Sequence, residues 1–226
     1  MGVQPLFVGA IDLQGRALQR HAVLWKLIGC GERLLALFLL VALLPFLFSL
    51  AIAIMLLSRR TPLIAHRRVG KLGRELWVLK LRTMWSSPAG PYQLRPVVEP
   101  LTSDAVPEIK SPCDLRVTSA FGAWCRRFSI DELPQLWNVV RGEMALVGPR
   151  PLTSYEIARF YAPSAHQILA LKPGITGLWQ VKGRSRLTYS QRRRLDLFLT
   201  DHWSLPLYMM IWGSTIPRVL TGKDAW

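Results

Sequence analysis

Residues 34–57 read LLALFLLVALLPFLFSLAIAIMLL, and none of those 24 positions carries a charge. Coiled as a helix at ~1.5 Å per residue, the run would reach roughly 36 Å, enough to cross a bilayer. A soluble protein would have to bury such a helix on every face. The run starts too late and is too long for a cleaved signal peptide. A membrane segment is therefore expected. Pro45 stands near its middle; proline lacks a backbone donor and crowds the preceding turn, so a kink or break is expected there.

Both flanks of the run are basic. Arg16, Arg20, Lys26 and Arg33 precede it; Arg59, Arg60, Arg67, Arg68, Lys71 and Arg74 follow. Lys and Arg concentrate on the cytoplasmic side of membrane segments. With neither end marked as the outer one, two geometries stay open: a re-entrant helix–break–helix, or a simple spanning helix.

The charge excess extends to the whole chain, with 29 Lys and Arg against 14 acids and a formal charge of +15. Mean hydropathy is +0.22, high for a soluble domain. The positive excess suits a polyanionic partner: nucleic acid, anionic lipid or a phosphorylated substrate. No helix-turn-helix, zinc or RNP pattern supports nucleic acid. Anionic lipids of an inner membrane fit the basic flanks better. The three cysteines form no CxxC, which points to a reducing compartment and away from a disulfide framework or zinc site. The histidines are scattered, so no His-based metal site is expected.

The chain divides into a basic, partly amphipathic segment (1–33), the membrane segment (34–57) and a globular domain (58–226). The fold class expected is α+β and predominantly helical: a monotopic membrane protein with a cytoplasmic domain and interfacial amphipathic helices. Turn signals at Thr61-Pro62 and Gly70 to Gly73, with the alternation in ELWVLKLRTM, predict a β-hairpin. Residues 85–113 are rich in proline and predict an irregular loop. Helices are expected near the end of 114–128, over 131–140 with a stop at Gly142, over 153–171, and over YSQRRRLDLFLTDHW. The Trp-rich tail suits an interface, with Trp203, Trp212 and Trp226 as anchors at headgroup level.

SIDELPQLW, residues 129–137, places two acids together in a chain that is short of them. Two local readings are open. Ser129 and Glu132 have capping-box spacing, or Asp131 is the N-cap with Pro134 in the first turn. Either is compatible with chemistry, because the free N–H groups of a helix start keep a carboxylate ionised and welcome a phosphate. Cations follow in short order: Arg126, Arg127, Arg141 and Arg150. In GPRP, Pro149 and Pro151 stiffen the backbone around Arg150, a pre-organised fork for phosphate oxygens. Lys80 and Arg82 in KLR add two charges at a strand end.

RRVGKLGRELWVLKLRTM, DLRVT, IDELPQLWNVVRGEMALVGPRPL, KPGITGLWQVKGRS and LDLFLTDHWSL occur in that order. In this the chain resembles the bacterial sugar transferase family, the monotopic polyprenyl-phosphate phosphoglycosyl transferases, in its small form, over residues of about 34–226. The resemblance implies transfer of a sugar phosphate from a nucleoside diphosphate sugar, with uridine as the guess, to polyprenyl phosphate. That step begins a lipid-linked glycan for O-antigen, capsule, exopolysaccharide or glycoprotein. It implies Asp131 as nucleophile, through an aspartyl phosphosugar, with Glu132 holding Mg²⁺ or orienting the pair. Metal ligands would be Asp131 and Glu132; phosphate contacts would come from Arg150, Arg126, Arg127, Lys80 and Arg82. It favours the re-entrant geometry, broken at Pro45, and a cytoplasmic catalytic face; a homodimer is left open. Two departures stand out. Leu44 precedes Pro45 where some members have Ser, and Lys80-Leu81-Arg82 replaces the more usual Lys-Phe-Arg. A nucleic-acid-binding membrane protein and an aspartyl-phosphate phosphohydrolase are the competing readings, and the chain lacks DxDx[TV], P-loop and HExxH signatures.

Overall fold

The computed structural model describes residues 6–85, 98–101, 119–183 and 186–222, with side chains from residue 23 onward. The chain opens with helix α1, Leu6–Ser58, which takes in both the basic N-terminal stretch and the apolar run. Its Val23–Ser58 part is long and apolar enough to cross a membrane. That is consistent with association with a membrane. Pro45 lies inside α1 and does not divide it into two elements. One turn beyond, the Ser49 hydroxyl donates to the carbonyls of Pro45 and Phe46 at 3.1 and 2.9 Å.

One stripe of α1 is packed and the rest is bare. Ala36, Leu50 and Ile54 are buried, and Leu39, Leu40, Leu43 and Leu47 are partly covered. These positions recur every three or four residues, so they share one helical face. Leu34, Leu37, Phe38, Val41, Leu44, Phe48 and Leu56 are exposed. The buried stripe meets Leu76 and Val78, Leu136 and Val139, and Met144 and Leu146. Toward its end it meets Leu81, Leu63, Phe121 and Ile130.

The expected hairpin is present. Strands β1, Leu63–Val69, and β2, Glu75–Leu81, pair antiparallel from Leu63↔Leu81 to Val69↔Glu75. A 3₁₀ turn at Lys71–Gly73 joins them, with Gly73 at φ +78°. The irregular loop expected over 85–113 needs a correction. Val98–Leu101 forms strand β3, parallel to β1 with Leu63 opposite Val98. Pro100 is tolerated because β3 is an edge strand of the order β2-β1-β3. The Arg82–Glu99 ion pair at 2.7 Å helps fix it. The remainder of that loop, and DLRVT, lie outside the described residues.

Helix α2, Ala120–Arg127, is capped by the Ser119 side chain accepting from Gly122 N–H. A 3₁₀ helix, Ile130–Gln135, then leads into α3, Leu136–Val140. The segment stops at Gly142, φ +73°, as the sequence predicts. Strand β4, Ala145–Val147, pairs with β5, Gly174–Thr176, in parallel. The single helix expected over 153–171 is broken. It is α4, Ser154–Glu156, a π turn at Ile157–Tyr161, a 3₁₀ turn at Ala162–Ser164 and α5, Ala165–Ile168. Pro163 cannot donate to a preceding turn and so interrupts it. Then follow α6, Leu178–Lys182, α7, Tyr189–Asp201, and α8, Leu205–Thr221. Trp203 packs 5.0 Å from Trp25 on α1, Trp212 is exposed, and Trp226 lies outside the described residues.

Two polar side chains lock these parts together. Glu32 on α1 accepts from Leu146 N–H and from the Tyr208 hydroxyl, both at 2.8 Å. Asn138, which is buried, accepts from Leu79 N–H and donates to the Trp77 carbonyl and to Glu143, so α3 is stitched to β2. Replacing Asn138 by Ala strands the Leu79 N–H and the Trp77 carbonyl in a dry setting. Asn138→Ala should therefore cost about 2–3 kcal/mol, read as a lowered unfolding midpoint in detergent.

Candidate active site

Asp131 and Glu132 sit in the first turn of the Ile130–Gln135 3₁₀ helix, both half-buried. Neither capping expectation holds. Ser129 has φ 56°, in the left-handed region, and its side chain accepts no bond from the helix. Asp131 is a residue within the helix, not its cap. The cause is a pair of consecutive reverse turns, with Ser129 N–H on the Arg126 carbonyl and Glu132 N–H on the Ser129 carbonyl. That backbone path turns the Ser129 hydroxyl away from a capping position. Glu132 reaches the sheet instead.

There it meets Lys80. The Lys80 Nζ–Glu132 Oε1 distance is 2.7 Å, and Arg150 stands 3.9 Å from the same oxygen. Lys80 is held by β2; Arg150 by the GPRP turn between β4 and α4. That turn is clamped from both sides. Gly148 N–H donates to the Thr176 carbonyl at 2.9 Å and Gly174 N–H to the Pro149 carbonyl at 2.8 Å. A Cβ on Gly148 would collide with the Lys172 carbonyl, and one on Gly174 with Gly148 N. The close approach of VGPRP to KPGIT thus requires glycine at both places. Val69 N–H on the Leu152 carbonyl, 2.8 Å, ties the far end of the turn to the hairpin.

A small polar recess lies among Arg68, Lys80, Glu132, Gln135, Arg150 and Gln180. Its electrostatics register on a neighbour. His66 is pushed down to about 4, first by burial and then by the charges of Arg68, Lys80, Arg150 and Arg82. The imidazole is neutral at neutral pH, and the recess is a place where a further positive charge is unwelcome and an anion is favoured. Alternation along the hairpin puts His66 and Arg68 on the face that carries Lys80 and Arg82, a signal present in the sequence.

The remaining predicted cations are placed differently. Arg82 is buried, donates from Nε to the Thr61 carbonyl at 2.8 Å and pairs with Glu99. Arg126 and Arg127 close α2, and the Arg127 guanidinium lies 5.7 Å from the Phe128 ring centroid. Arg141 pairs with Glu143 at 2.9 Å.

Behind Arg150 lies a layer of residues that the sequence reading passed over. The Trp179 ring is approached by Arg150, at 5.7 Å, and by Arg192, at 4.7 Å, and Arg192 also stands 5.1 Å from the Tyr189 ring. Asp196, on α7, is wholly buried and accepts from the Tyr161 hydroxyl at 3.3 Å. Burial pushes Asp196 up to about 8, opposed by Tyr161 and by Arg150 and Arg192. Its place within LDLFLTD gave no hint that the carboxyl points inward.

No group of three or more His, Cys, Asp or Glu able to hold a metal occurs among the described residues. The chemistry of the donor set nonetheless fits magnesium, which is commonly held by one or two carboxylates together with substrate phosphates and water.

An acid pair whose Glu132 is met by Lys80 and Arg150, beside an apolar helix, is the arrangement expected of an enzyme that handles phosphorylated substrates at a membrane. The profile of the bacterial sugar transferase family matches residues 26–222, and the chain belongs to that family of sugar-phosphate transferases. Among its relatives is the UDP-galactose-lipid carrier transferase of Erwinia amylovora, 40% identical over 199 residues, which are 84% of this chain and 40% of that protein. The exopolysaccharide production protein ExoY of Sinorhizobium fredii is 34% identical over 194 residues, 85% of each chain. The undecaprenyl-phosphate glucose phosphotransferase of Komagataeibacter xylinus is 37% identical over 197 residues, covering 83% of this chain and 34% of that one. The chain therefore matches ExoY over most of its length, and well under half of the other two.

Asp196 makes stability depend on pH in a defined direction. Its folded value of about 8 lies above the ordinary 3.8, so the folded state keeps a proton that the unfolded chain gives up. Its contribution is complete below about pH 4 and is lost as pH rises toward 8. Asp196→Asn cannot titrate, so the melting temperature of the variant relative to wild type should rise from pH 5 to pH 8. Thermal unfolding at those two pH values measures it.

Proposed function

We propose that this chain transfers a sugar 1-phosphate from a nucleoside diphosphate sugar, a UDP-sugar, to a polyprenyl phosphate, through a covalent phosphosugar on Asp131. The observation that carries the reading is Glu132 held by Lys80 at 2.7 Å and by Arg150 at 3.9 Å, next to Asp131 and under an apolar helix. Two relatives are named for undecaprenyl phosphate or a lipid carrier, and one for a UDP-sugar, which supports the choice of substrates.

In the first half-reaction an Asp131 carboxylate oxygen attacks the phosphorus that bears the sugar. The bond from that phosphorus to the nucleoside monophosphate breaks, and the monophosphate leaves with the bonding pair. In the second, a phosphate oxygen of the polyprenyl phosphate attacks the same phosphorus. The acyl-phosphate bond breaks, Asp131 is restored as a carboxylate, and a polyprenyl diphosphate sugar departs. Anion attacking anion is unfavourable in water; Arg68, Lys80 and Arg150 lower that cost by surrounding the reacting phosphates with positive charge. Lys80 also holds Glu132 beside the nucleophile. Magnesium, held by Asp131 and Glu132, would neutralise the diphosphate and stabilise the leaving group. The product is the first lipid-linked unit of a glycan such as an exopolysaccharide, O-antigen or capsule.

The proposed membrane geometry is supported by α1. Its Ala36–Ile54 stripe is fastened to the globular part, so those residues lie alongside the catalytic domain. We propose a monotopic seating, with the bare face of α1 in lipid and both ends of the apolar segment on one side. The basic flanks, which suit anionic inner-membrane lipid, make that side the cytoplasmic one. The re-entrant path belongs to this proposal, its turn being a bend near Pro45 within the continuous α1.

Two experiments test these readings. Asp131→Asn keeps the shape of the side chain and removes the nucleophile, so lipid-linked product should fall about 10³-fold or more while the protein stays folded. Wild type given nucleotide sugar without acceptor should gain the mass of one sugar phosphate on Asp131; an adduct on another residue overturns the assignment. For the topology, Cys30 is exposed. Cys30 and a cysteine introduced as Arg74→Cys should react with a membrane-impermeant maleimide from the same face of oriented vesicles. Labelling from opposite faces would mean a spanning helix.

A further inference from the structure

Arg150 reaches toward the acid pair, yet little fixes the direction of its guanidinium. Among the described residues that group makes no hydrogen bond; it stands 3.9 Å from Glu132 Oε1 and 5.7 Å from the Trp179 ring. An arginine side chain has many rotamers, so a fork without hydrogen bonds has to be aimed by its surroundings. Arg192 is placed to do this. It lies in the first turn of α7, whose start is fixed by the Thr188–Gln191 capping box. Only 8% of it is exposed, and its guanidinium stands 4.7 Å from the Trp179 ring and 5.1 Å from the Tyr189 ring. Both rings are themselves held. Trp179 is buried, and Tyr189 stacks on Phe160 at 4.3 Å and donates its hydroxyl to Glu156 at 3.2 Å.

A buried guanidinium is ordinarily paired with a carboxylate. Arg192 has no ion-paired carboxylate among the described residues, and its Nε has no hydrogen-bond partner there. Asp196, one turn further along α7, does not neutralise it: that carboxyl is held by the Tyr161 hydroxyl and keeps its proton until about pH 8. The Arg192 charge therefore acts on its neighbours in a dry setting, where screening is weak. It is itself pressed below the ordinary arginine value, first by burial and then by Arg150. We infer that Arg192 is a positioning residue: its buried charge, holding the nearer place on the Trp179 ring, keeps the Arg150 guanidinium turned out toward Glu132 and the phosphate that Asp131 attacks. The inference rests on the transferase reading above and adds what aims Arg150. Two effects act together. Like charges repel, so Arg150 avoids the α7 side. The Trp179 ring is an attractive seat for a cation, and Arg192 already takes it at the shorter distance. Without the Arg192 charge, Arg150 would settle back on that ring and withdraw from the recess. Arg192 touches no substrate in this account; it works through Arg150.

A double-variant comparison with Arg150 tests the inference. Arg192→Gln should lower kcat about tenfold, the size of effect expected for coupled neighbours. Arg192→Lys keeps the charge and should recover most of the wild-type rate. In an Arg150→Gln background the same Arg192→Gln change should cost less than about twofold further, because the group that it aims is gone. A tenfold loss that persists in that background overturns the proposal, and so does an Arg192→Lys variant no more active than Arg192→Gln. Arg192→Met fills similar space without the charge and separates aiming from folding. It should match Arg192→Gln in rate while melting close to wild type; rates that simply follow melting temperature across the three variants mean a structural role and overturn the proposal. A second readout needs no turnover: the affinity of the full chain in detergent for inorganic diphosphate, measured by calorimetry. Arg192→Gln should weaken it severalfold beside Arg150 and leave it unchanged beside Arg150→Gln; equal weakening in both backgrounds overturns the proposal. If wild type forms no lipid-linked product from any acceptor, the transferase reading fails, and the diphosphate comparison still judges Arg192 by itself.

Discussion

The architecture depends on how the apolar helix is fastened. A free helix of this composition would be satisfied anywhere in a bilayer. Here one face, from Ala36 through Leu43 and Leu50 to Ile54, is given to the core of the globular part. Lipid would satisfy those leucines equally well, so the fastening comes from close packing and from polar bonds more than from exclusion of water. Glu32 adds a polar latch through Leu146 and Tyr208. The result is that the segment carrying Asp131 and Glu132 packs under the helix through Ile130 and Leu136, at a fixed depth relative to its bare apolar face.

The second constraint is electrostatic. Glu132 and Lys80 are about four-fifths shielded from solvent, so their attraction is screened less than at an open surface. A carboxylate shared by Lys80 and Arg150 leaves the recess net positive; His66, lowered first by burial, is lowered further by the same cations. Positive charge held in advance by a sheet and a clamped turn requires no rearrangement when phosphates arrive. The Trp179 ring, within 5.7 Å of the Arg150 guanidinium and 4.7 Å of that of Arg192, restricts where the Arg150 guanidinium can go.

Legibility in the sequence followed the range of the interaction. The β1–β2 hairpin was readable because its alternation and its Gly70–Gly73 turn are local, and so were α7 and the stop at Gly142. Ser129 was misread because its spacing to Glu132 satisfies a capping box, while the consecutive turns that force φ 56° depend on how α2 ends. Strand β3 escaped notice because prolines surround it, and its partner β1 lies some 35 residues back. Asp131, Glu132, Lys80 and Arg150 could be named as candidates from residue type and motif. That Glu132 would be paired with Lys80, 52 positions away, could not.

By itself the sequence determined the apolar run, the basic excess around it, the adjacent acid pair and the proline-braced arginine, because composition and short-range spacing are properties of the chain. Only the tertiary structure decided which stripe of the apolar helix is covered, which cations meet Glu132, and that Asp196 is turned inward. Those outcomes depend on the packing of segments far apart in the chain, and on the desolvation that such packing imposes on their charges.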